Sequence, residues 1–405
     1  MTMRCVELFA GAGGLALGVG LAGFEPLAVV EWDRWACDTL RENQRRGYPL
    51  VNGWPIHEGD VRSFDWSSIP EDIELLAGGP PCQPFSLGGK HKAHDDARDM
   101  FPATVEIVRR LRPKAFIVEN VKGLTRSTFA NYYQHILLQL EFPEIVRRRN
   151  ESWYDHLMRL QRHKTGGKRS GLTYNVVPTL VTAADYGVPQ KRERVFIVGF
   201  RSDIGGDQWS FPQATHSLER LLYEQHVTGE YWDRHGVSAR NRPAAPESLT
   251  KRLNQLRLLP PEGKAWRTVR DALQGIPDPQ STAARKFKDH IFQDGARSYP
   301  GHTGSPLDLP AKTLKAGDHG VPGGENMMVR SDGSVRYFTI RESARVQTFP
   351  DGYVFHGSWT ETMRQLGNAV PVLLGQVVAS SVAEKIVSAL AQETVRADAS
   401  QRRMA

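Results

Sequence analysis

The chain has 405 residues, of which 40% are hydrophobic and 24% are charged, and its formal net charge is +7. This length suits about two or three domains, and the apolar fraction is sufficient for a folded core, which excludes a disordered chain. The basic excess favours a polyanionic partner. With 3 cysteines and neither Cys-x-x-Cys nor His-x-x-x-His spacing, we expect no disulfide framework and no metal site.

The N-terminal residues lack the charged region and cleavage site of a signal peptide. No uncharged apolar run reaches the roughly 18 residues that a membrane span requires. We therefore expect a soluble, cytoplasmic protein with reduced thiols and no membrane partner.

Apolar runs and glycine-containing turns predict alternating strands and helices. We expect strands at 4–9, 27–31, 73–77, 115–118 and 195–198, and helices at 103–111, 340–347 and 371–390. Apolar strands that alternate with helices are typical of a parallel sheet covered on both faces. The sequence therefore predicts an α/β fold with a Rossmann-like, mostly parallel sheet. A smaller, loop-rich part is expected from 201 to 335, where Pro, Gly, Arg and His are frequent.

Cys82 lies in the most distinctive segment, Gly-Gly-Pro-Pro-Cys-Gln-Pro-Phe-Ser at 78–86. Its prolines and glycines hold the backbone in a stiff turn directly after an apolar run. A thiol at the end of a strand, followed by a polar loop, is typical of a nucleophile. The alternative is a small buried side chain, which is the common environment of a free cysteine.

Gly11, Gly13 and Gly14 form a turn after the first predicted strand, and Glu31 follows Gly11 by 20 residues. This spacing is typical of an acid that binds a ribose in a nucleotide-binding βαβ unit. The turn departs from the full Gly-x-Gly-x-x-Gly pattern, so S-adenosylmethionine suits it, and a nicotinamide cofactor stays open. Trp32 follows Glu31 and offers a ring on which an adenine can stack.

Glu119 follows the predicted strand 115–118, where a low dielectric is expected to raise its pKa and favour a bound proton. A helix-capping acid is the alternative. Gln190, Arg192 and Arg194 alternate before the next apolar run, so a strand would place them on one face. A row of guanidinium groups at the end of a sheet suits a phosphate or a carbonyl oxygen.

These motifs, taken together and in order, resemble those of the DNA (cytosine-5) methyltransferase family, of the bacterial type II restriction–modification type. The matching segments are 7–14 (ELFAGAGG), 31–33 (EWD), 59–60 (GD), 80–86 (PPCQPFS), 119–121 (ENV), 190–194 (QKRER), 341–347 (RESARVQ) and 365–371 (QLGNAVP). So many motifs in the order of the family make the resemblance specific.

The resemblance implies a role for each matching residue. Cys82 resembles the nucleophile, and Glu119 resembles the acid that contacts cytosine N3. Arg192 and Arg194 resemble the pair near the cytosine carbonyl and the adjacent loop. The residues implied at the S-adenosylmethionine site are Phe9, Gly11, Gly13, Gly14, Glu31, Trp32, Asp60, Val61, Pro80, Asn368 and Ala369. The residues implied at the DNA are Ser86, Lys90, Gln190, Thr313 and Leu314.

By this resemblance the enzyme rotates a cytosine out of double-stranded DNA, adds the Cys82 thiolate to C6 and passes a methyl group to C5. Residues 1–200 would form the cofactor-binding and catalytic domain, and 201–335 the target-recognition domain. Residues 336–395 would return to the catalytic domain, and 396–405 would be a tail. We expect a monomer, with a restriction endonuclease as its functional partner.

Three other functions are weighed against this one. A tRNA cytosine-5 methyltransferase shares the scaffold, but those relatives carry a Cys-Phe-Thr tripeptide that this sequence lacks. A catalytically silent DNA-binding regulator gives no reason for an intact Cys82 and Glu119. A nicotinamide oxidoreductase leaves the Pro-Pro-Cys-Gln segment without a role.

Overall fold

A central sheet is built from β1 (Met3–Leu8), β2 (Phe24–Glu31), β3 (Ile56–Glu58), β4 (Leu75–Gly78), β5 (Ala115–Val121), β6 (Tyr174–Thr182) and β7 (Glu193–Arg201). The strand order is β3-β2-β1-β4-β5-β7-β6. The computed structural model describes residues 2–81, 99–167, 171–205, 209–316 and 326–404, with side chains up to residue 392. The predicted α/β fold with a mostly parallel sheet is confirmed.

One strand of this sheet is reversed. β3, β2, β1, β4 and β5 pair in parallel, whereas β7 is antiparallel to both of its neighbours, β5 and β6. β6 therefore runs in the direction of β5 and ends at the same edge. The sequence predicted a strand at β7 but not its direction. It did not predict β6, in which Pro178 fits the edge position because proline donates no ladder hydrogen bond.

Helices cover both faces of the sheet. In chain order, the α-helices of the described residues are α1 (Gly14–Leu21), α2 (Arg34–Arg45), α3 (Phe101–Leu111), α4 (Ala130–Glu141), α5 (Trp153–Thr165), α6 (Leu218–Tyr223), α7 (Glu230–Arg234), α8 (Thr250–Leu258), α9 (Val269–Ala272), α10 (Ile340–Val346), α11 (Trp359–Asn368) and α12 (Val372–Met404). Strand residues alternate between the faces. Val6 and Leu76 pack with α3 and α4, whereas Cys5 and Leu75 pack with α1 and α12.

The stretch after β7 is irregular. β8 (His216–Ser217) pairs with β9 (Lys264–Ala265), and β10 (Ser305–Pro306), β11 (Met327–Val329) and β12 (Val335–Tyr337) form a second small sheet. Its apolar clusters are small, and one consists mainly of Leu221, Tyr231 and Trp232. The loop-rich character matches the sequence, and the boundaries of a separate domain stay a prediction.

The stretch Trp359–Gln392 is long and apolar enough to cross a membrane by length and composition alone, but 67% of its apolar window is buried inside the protein. Val378, Val382 and Ile386 are fully buried in the cluster beneath the sheet. This stretch is therefore accounted for as core of the fold.

α1 crosses α12 at a glycine. A Cβ atom on Gly18 would lie 2.5 Å from the backbone nitrogen of Gln376 and 2.7 Å from the carbonyl oxygen of Val372. On the same helix, a Cβ atom on Gly20 would lie 3.7 Å from the Trp54 ring, which is an ordinary contact. The crossing of the two helices therefore depends on Gly18 and not on Gly20.

Gly18→Ala should lower the free energy of unfolding by about 1–3 kcal/mol, because the added methyl group forces two backbones apart. Gly20→Ala is the matched control and should be neutral or stabilise by about 0.5–1 kcal/mol, since alanine favours a helix. Urea unfolding of both variants measures the difference. Equal effects of the two substitutions would contradict the close crossing.

Candidate active site

The carboxyl ends of the strands place the candidate residues along one edge of the sheet. Phe9 follows β1, Trp32 follows β2, Asp60 comes two residues after β3, and Pro80 comes two residues after β4. Glu119 lies near the end of β5. Parallel strands end at the same edge, which is where ligands bind in open α/β sheets. The sheet therefore brings together residues that are far apart in the sequence.

The segment that leads to Cys82 runs beside β5. The side-chain amide of Asn120 donates a hydrogen bond of 3.1 Å to the carbonyl oxygen of Pro80. A Cβ atom on Gly79 would lie 3.1 Å from Oε2 of Glu119, so the glycine permits this close approach. Three predicted residues lie outside the described part of the chain: Cys82, Ser86 and Lys90.

Glu119 and Arg194 form a buried ion pair across β5 and β7. The antiparallel register sets Arg194 opposite Val121, and its Nε lies 2.9 Å from Oε1 of Glu119. Burial raises the pKa of the Glu119 carboxyl, and the charges of Arg194 and Arg192 oppose this rise. The carboxyl can therefore keep a proton at a pH where an exposed glutamate is ionised. The alternative of a helix cap is wrong, because Glu119 lies within a strand.

Arg192 is fully buried and its guanidinium is bound to backbone. Nη1 donates to the carbonyl oxygen of Leu314 over 3.1 Å, and Nη2 donates to that of Gly367 over 2.7 Å. The expected strand face shared by Gln190, Arg192 and Arg194 is wrong, because β7 begins at Glu193 and two of the three residues precede it.

The residues predicted at the DNA from two distant segments meet each other. The backbone nitrogen of Leu314 donates to Oε1 of Gln190 over 3.3 Å, and the hydroxyl of Thr313 donates to the carbonyl oxygen of Lys191 over 2.9 Å. Gln190 and Leu314 are buried, and Thr313 is partly exposed. Their contact with DNA stays a prediction.

Glu31 organises the turn between β1 and α1. Oε2 accepts a hydrogen bond of 2.7 Å from the backbone of Gly11, and Oε1 accepts bonds of 2.9 and 2.7 Å from Trp32 and Asp33. Burial raises the pKa of Glu31, and these backbone donors oppose the rise. The spacing of 20 residues therefore corresponds to a direct contact that shapes the predicted cofactor turn.

Space and exposed groups at this turn fit a nucleoside. A Cβ atom on Gly11 would meet nothing within 4 Å. The Trp32 side chain is 70% exposed, and Asn368 is exposed as well. Arg62 binds the Asp60 carboxylate and lowers its pKa, so this group is an ionised acceptor. An aromatic face and several polar groups suit the adenosine part of S-adenosylmethionine.

The other residues predicted at the cofactor are closely packed against neighbouring segments, or they have an unusual backbone conformation. A Cβ atom on Gly13 or Gly14 would come closer than van der Waals contact to neighbouring segments. Val61 and Ala369 are buried. Phe9 has a φ of 53°, which is uncommon for a bulky residue and is typical of functional turns. Contact of these residues with a cofactor stays a prediction.

Sequence reasoning gave no role to two residues that build this edge. Asn120 bridges to the segment before Cys82, and its place in the 119–121 motif was a signal for it. The buried hydroxyl of Tyr353 donates a hydrogen bond of 2.7 Å to the carbonyl oxygen of Ala12. No spacing in the sequence identifies Tyr353, because its partner lies 341 residues away.

Glu7 is a further buried carboxyl group, in the middle strands of the sheet. Its side chain is almost fully buried, and neither carboxyl oxygen has a hydrogen-bond partner within the described residues. Burial raises the pKa of Glu7 to about 8. It is therefore largely protonated at neutral pH.

Comparison with known proteins gives consistent matches over this whole arrangement. A model of the C-5 cytosine-specific DNA methylase family matches residues 3–143 and 167–384. The Type II methyltransferase M.NgoMIV of Neisseria gonorrhoeae is 30% identical over 397 residues, which cover 97% of this chain and 100% of the relative. The Type II methyltransferase M.PspPI of Psychrobacter sp. (strain TA137) is 30% identical over 384 residues, 93% of this chain and 78% of the relative.

Solved structures share the fold. A crystal structure described as that of a DNA modification methyltransferase encoded in an E. coli prophage has a TM-score of 0.56 and 20% identity, and the match covers 95% of this chain and 99% of the other. The S. pombe Dnmt2 methyltransferase has a TM-score of 0.52 and 16% identity, with coverage of 95% and 99%.

Glu7→Gln should stabilise the protein more at alkaline than at acidic pH. The folded-state pKa of about 8 lies above the ordinary value of 4.5. Between these two values the unfolded chain releases a proton that the folded chain keeps, so stability falls by about 1.4 kcal/mol per pH unit as pH rises. The difference in Tm between variant and wild type should therefore grow from pH 5 to pH 8. A difference that does not depend on pH would contradict the buried, protonated state.

Tyr353→Phe should lower the free energy of unfolding by about 1 kcal/mol, because it leaves the buried carbonyl oxygen of Ala12 without its donor. Tyr48→Phe is the matched control, because the Tyr48 ring packs against Tyr353 and its hydroxyl donates no hydrogen bond within the described residues. Urea unfolding of both variants tests this contact. A loss of the same size in the control would show that the hydroxyl of Tyr353 has no special role.

Proposed function

Because the chain belongs to the C-5 cytosine-specific DNA methylase family and is a DNA cytosine-5 methyltransferase, we propose that it methylates C5 of a cytosine within a specific sequence of double-stranded DNA. Cys82 is the nucleophile and Glu119 is the acid in this proposal. The relatives are Type II methyltransferases, so we further propose that the modification protects DNA from a cognate restriction endonuclease.

One observation carries the catalytic assignment. The buried carboxyl of Glu119 lies beside the segment that enters Cys82, and Arg194 holds it at 2.9 Å. An acid and a thiol at adjacent strand ends are what addition to an electron-poor ring requires, since charge builds on the ring as the new bond forms. The position next to the Gly79 backbone favours this pairing over a purely structural ion pair.

S-adenosylmethionine, on which this family depends, supplies an electrophilic methyl group. We assign its adenosine part to the open turn at Gly11, with the exposed ring of Trp32 as the stacking surface. In this proposal the ionised carboxylate of Asp60 accepts from an amino group of the cofactor, and the exposed Asn368 binds its polar groups. Glu31 is proposed to accept from the ribose hydroxyls, and its backbone contacts also hold the turn.

The protein residues act on the cytosine in a balanced sequence of steps. The Cys82 thiolate forms a bond to C6, which interrupts the aromatic ring and makes C5 nucleophilic. Glu119 gives its proton to N3, so that the ring does not carry the added negative charge, and Arg194 stabilises the carboxylate that remains. After C5 has gained its methyl group, a base removes the C5 proton and the thiolate leaves. N3 then returns its proton to Glu119.

The base must leave the duplex for these steps, because stacked neighbours cover both of its faces. We propose that the 201–335 segment selects the sequence and that the basic excess of the chain attracts the DNA backbone. The protein is proposed to act as a monomer, since one chain carries both groups of residues.

Methyl transfer from radiolabelled S-adenosylmethionine to duplex DNA, with tRNA as the competing substrate, tests the proposal. Bisulfite sequencing of DNA from cells that express the chain then identifies the methylated sequence.

Cys82→Ser should abolish methyl transfer, and Glu119→Gln should lower turnover by at least ~100-fold, because a glutamine cannot pass a proton. Cys5→Ala is the control and should retain activity, since Cys5 is buried in the core between strands and helices.

Incorporation of the labelled methyl group into tRNA rather than into DNA would show that the chain is an RNA methyltransferase on the same scaffold. Full activity of Cys82→Ser would remove Cys82 as the nucleophile. A Glu119→Gln rate within a factor of a few of the wild type would remove Glu119 from the proton transfer while leaving the family assignment intact.

A further inference from the structure

Arg192 joins two segments that the proposed function places at different ligands. Its Nη2 donates to the carbonyl oxygen of Gly367, over 2.7 Å, and Gly367 directly precedes Asn368 at the proposed cofactor site. Its Nη1 donates to the carbonyl oxygen of Leu314, over 3.1 Å, in the segment predicted to meet DNA. One buried cation therefore holds both backbones.

The DNA-side segment is fastened to the loop that carries Arg192. The backbone of Lys191 donates to Ala311 over 2.8 Å, and Ala311 donates to Pro189 over 2.9 Å. The hydroxyl of Thr313 adds a bond to the carbonyl oxygen of Lys191. Ala311 thus pairs with Gln190 in a single parallel β-bridge, and Arg192 binds the same segment again at Leu314.

The cofactor-side segment packs directly on the same junction. A Cβ atom on Gly367 would overlap the backbone of Lys315 and Ala316. Gly367 therefore permits the end of α11 to lie against the chain that follows Leu314. The two segments therefore lie in close backbone contact at this point, so that a shift of either would press on the other.

We infer that Arg192 is a positioning residue that couples the DNA-side segment to the cofactor edge, and not a group that touches the reacting cytosine. The inference rests on the proposed function for the identity of the two ligands. Arg194 provides the contrast, since its guanidinium lies on Glu119. Both Nη atoms of Arg192 are bound to backbone carbonyl groups from two other segments.

Arg192→Lys tests the coupling, because a lysine can reach one of the two carbonyl oxygens but not both. We expect KM for S-adenosylmethionine and KM for DNA to rise by about tenfold each, the effect of losing one hydrogen bond from a charged donor. The value of kcat should stay within about threefold of the wild type, since uniform binding is lost and not transition-state stabilisation. Arg194→Lys is the matched variant and should lower kcat with little change in either KM.

A binding measurement separates coupling from loss of activity. Calorimetry of S-adenosylhomocysteine with and without duplex DNA of the methylated sequence should show that DNA strengthens binding in the wild type. Arg192→Lys should lose most of this enhancement, because the two sites are linked through its guanidinium. Hydrogen exchange should show that the backbone amides of 311–316 and of 366–369 are less protected in Arg192→Lys than in the wild type, and that both segments lose protection together.

Gly367→Ala disturbs the same junction without touching Arg192. Gly367→Ala should reproduce the rise in both KM values. The double variant Arg192→Lys/Gly367→Ala should have KM values no higher than those of the more affected single variant, because both substitutions act on one contact. A fall in kcat alone for Arg192→Lys, as expected for Arg194→Lys, would overturn the inference, and so would unchanged DNA enhancement. If the wild type transfers no methyl group, the proposed function fails instead, and hydrogen exchange still tests the junction.

Discussion

Arg194 reaches Glu119 across β5 and β7, and the candidate site depends on that contact. A lone guanidinium would be costly at such burial, because a buried ion loses its hydration, and the Glu119 carboxyl oxygen gives Arg194 a partner. The contact exists because β7 is reversed. A parallel strand in this position would bring its carboxyl end to the site and place its first residues, Arg194 among them, at the opposite edge. The reversed direction of β7 therefore places the Arg194 guanidinium at the edge of the sheet where the parallel strands end in Glu119 and in the candidate loops.

Both ends of the chain build this edge. The glycine turn after β1 receives a hydrogen bond from Tyr353, 341 residues later, and α1 crosses α12 at Gly18. In the sequence, the segment 365–371 lies between Tyr353 and α12, and it contains the exposed Asn368. Arg192 is bound to Leu314 and to Gly367, so it ties the irregular 201–335 stretch to the segment 365–371 at this edge.

The sequence predicted those parts of the structure that local patterns encode. Apolar runs located β1, β2, β4, β5 and β7, since a strand that is covered on both faces is mostly apolar. The direction of β7 and the edge strand β6 were not predictable, because pairing direction depends on chain connections and an edge strand is half exposed. Period two wrongly placed Arg192 with Arg194 on one strand face, because the strand begins between them at Glu193.

The sequence located Glu31 but not the contacts that it makes. Glu31 was located by its distance from Gly11, yet the structure shows it bound to three backbone amides that shape the turn. The spacing could not reveal this, because a ribose-binding acid and a turn-holding acid occupy the same position. Tyr353 was missed for another reason. Its partner is the backbone carbonyl oxygen of Ala12, and a backbone atom leaves no trace in the amino-acid pattern.

The protonation state of Glu119 tests the central claim most directly. Selective 13C labelling of glutamate carboxyl groups, with Glu119→Gln to assign the resonance, gives its titration in the folded protein. The account predicts a midpoint clearly above the ordinary glutamate value of 4.5, because burial outweighs the attraction of Arg194. A midpoint at or below that value would show that the ion pair keeps Glu119 ionised, and it would contradict its role as the acid.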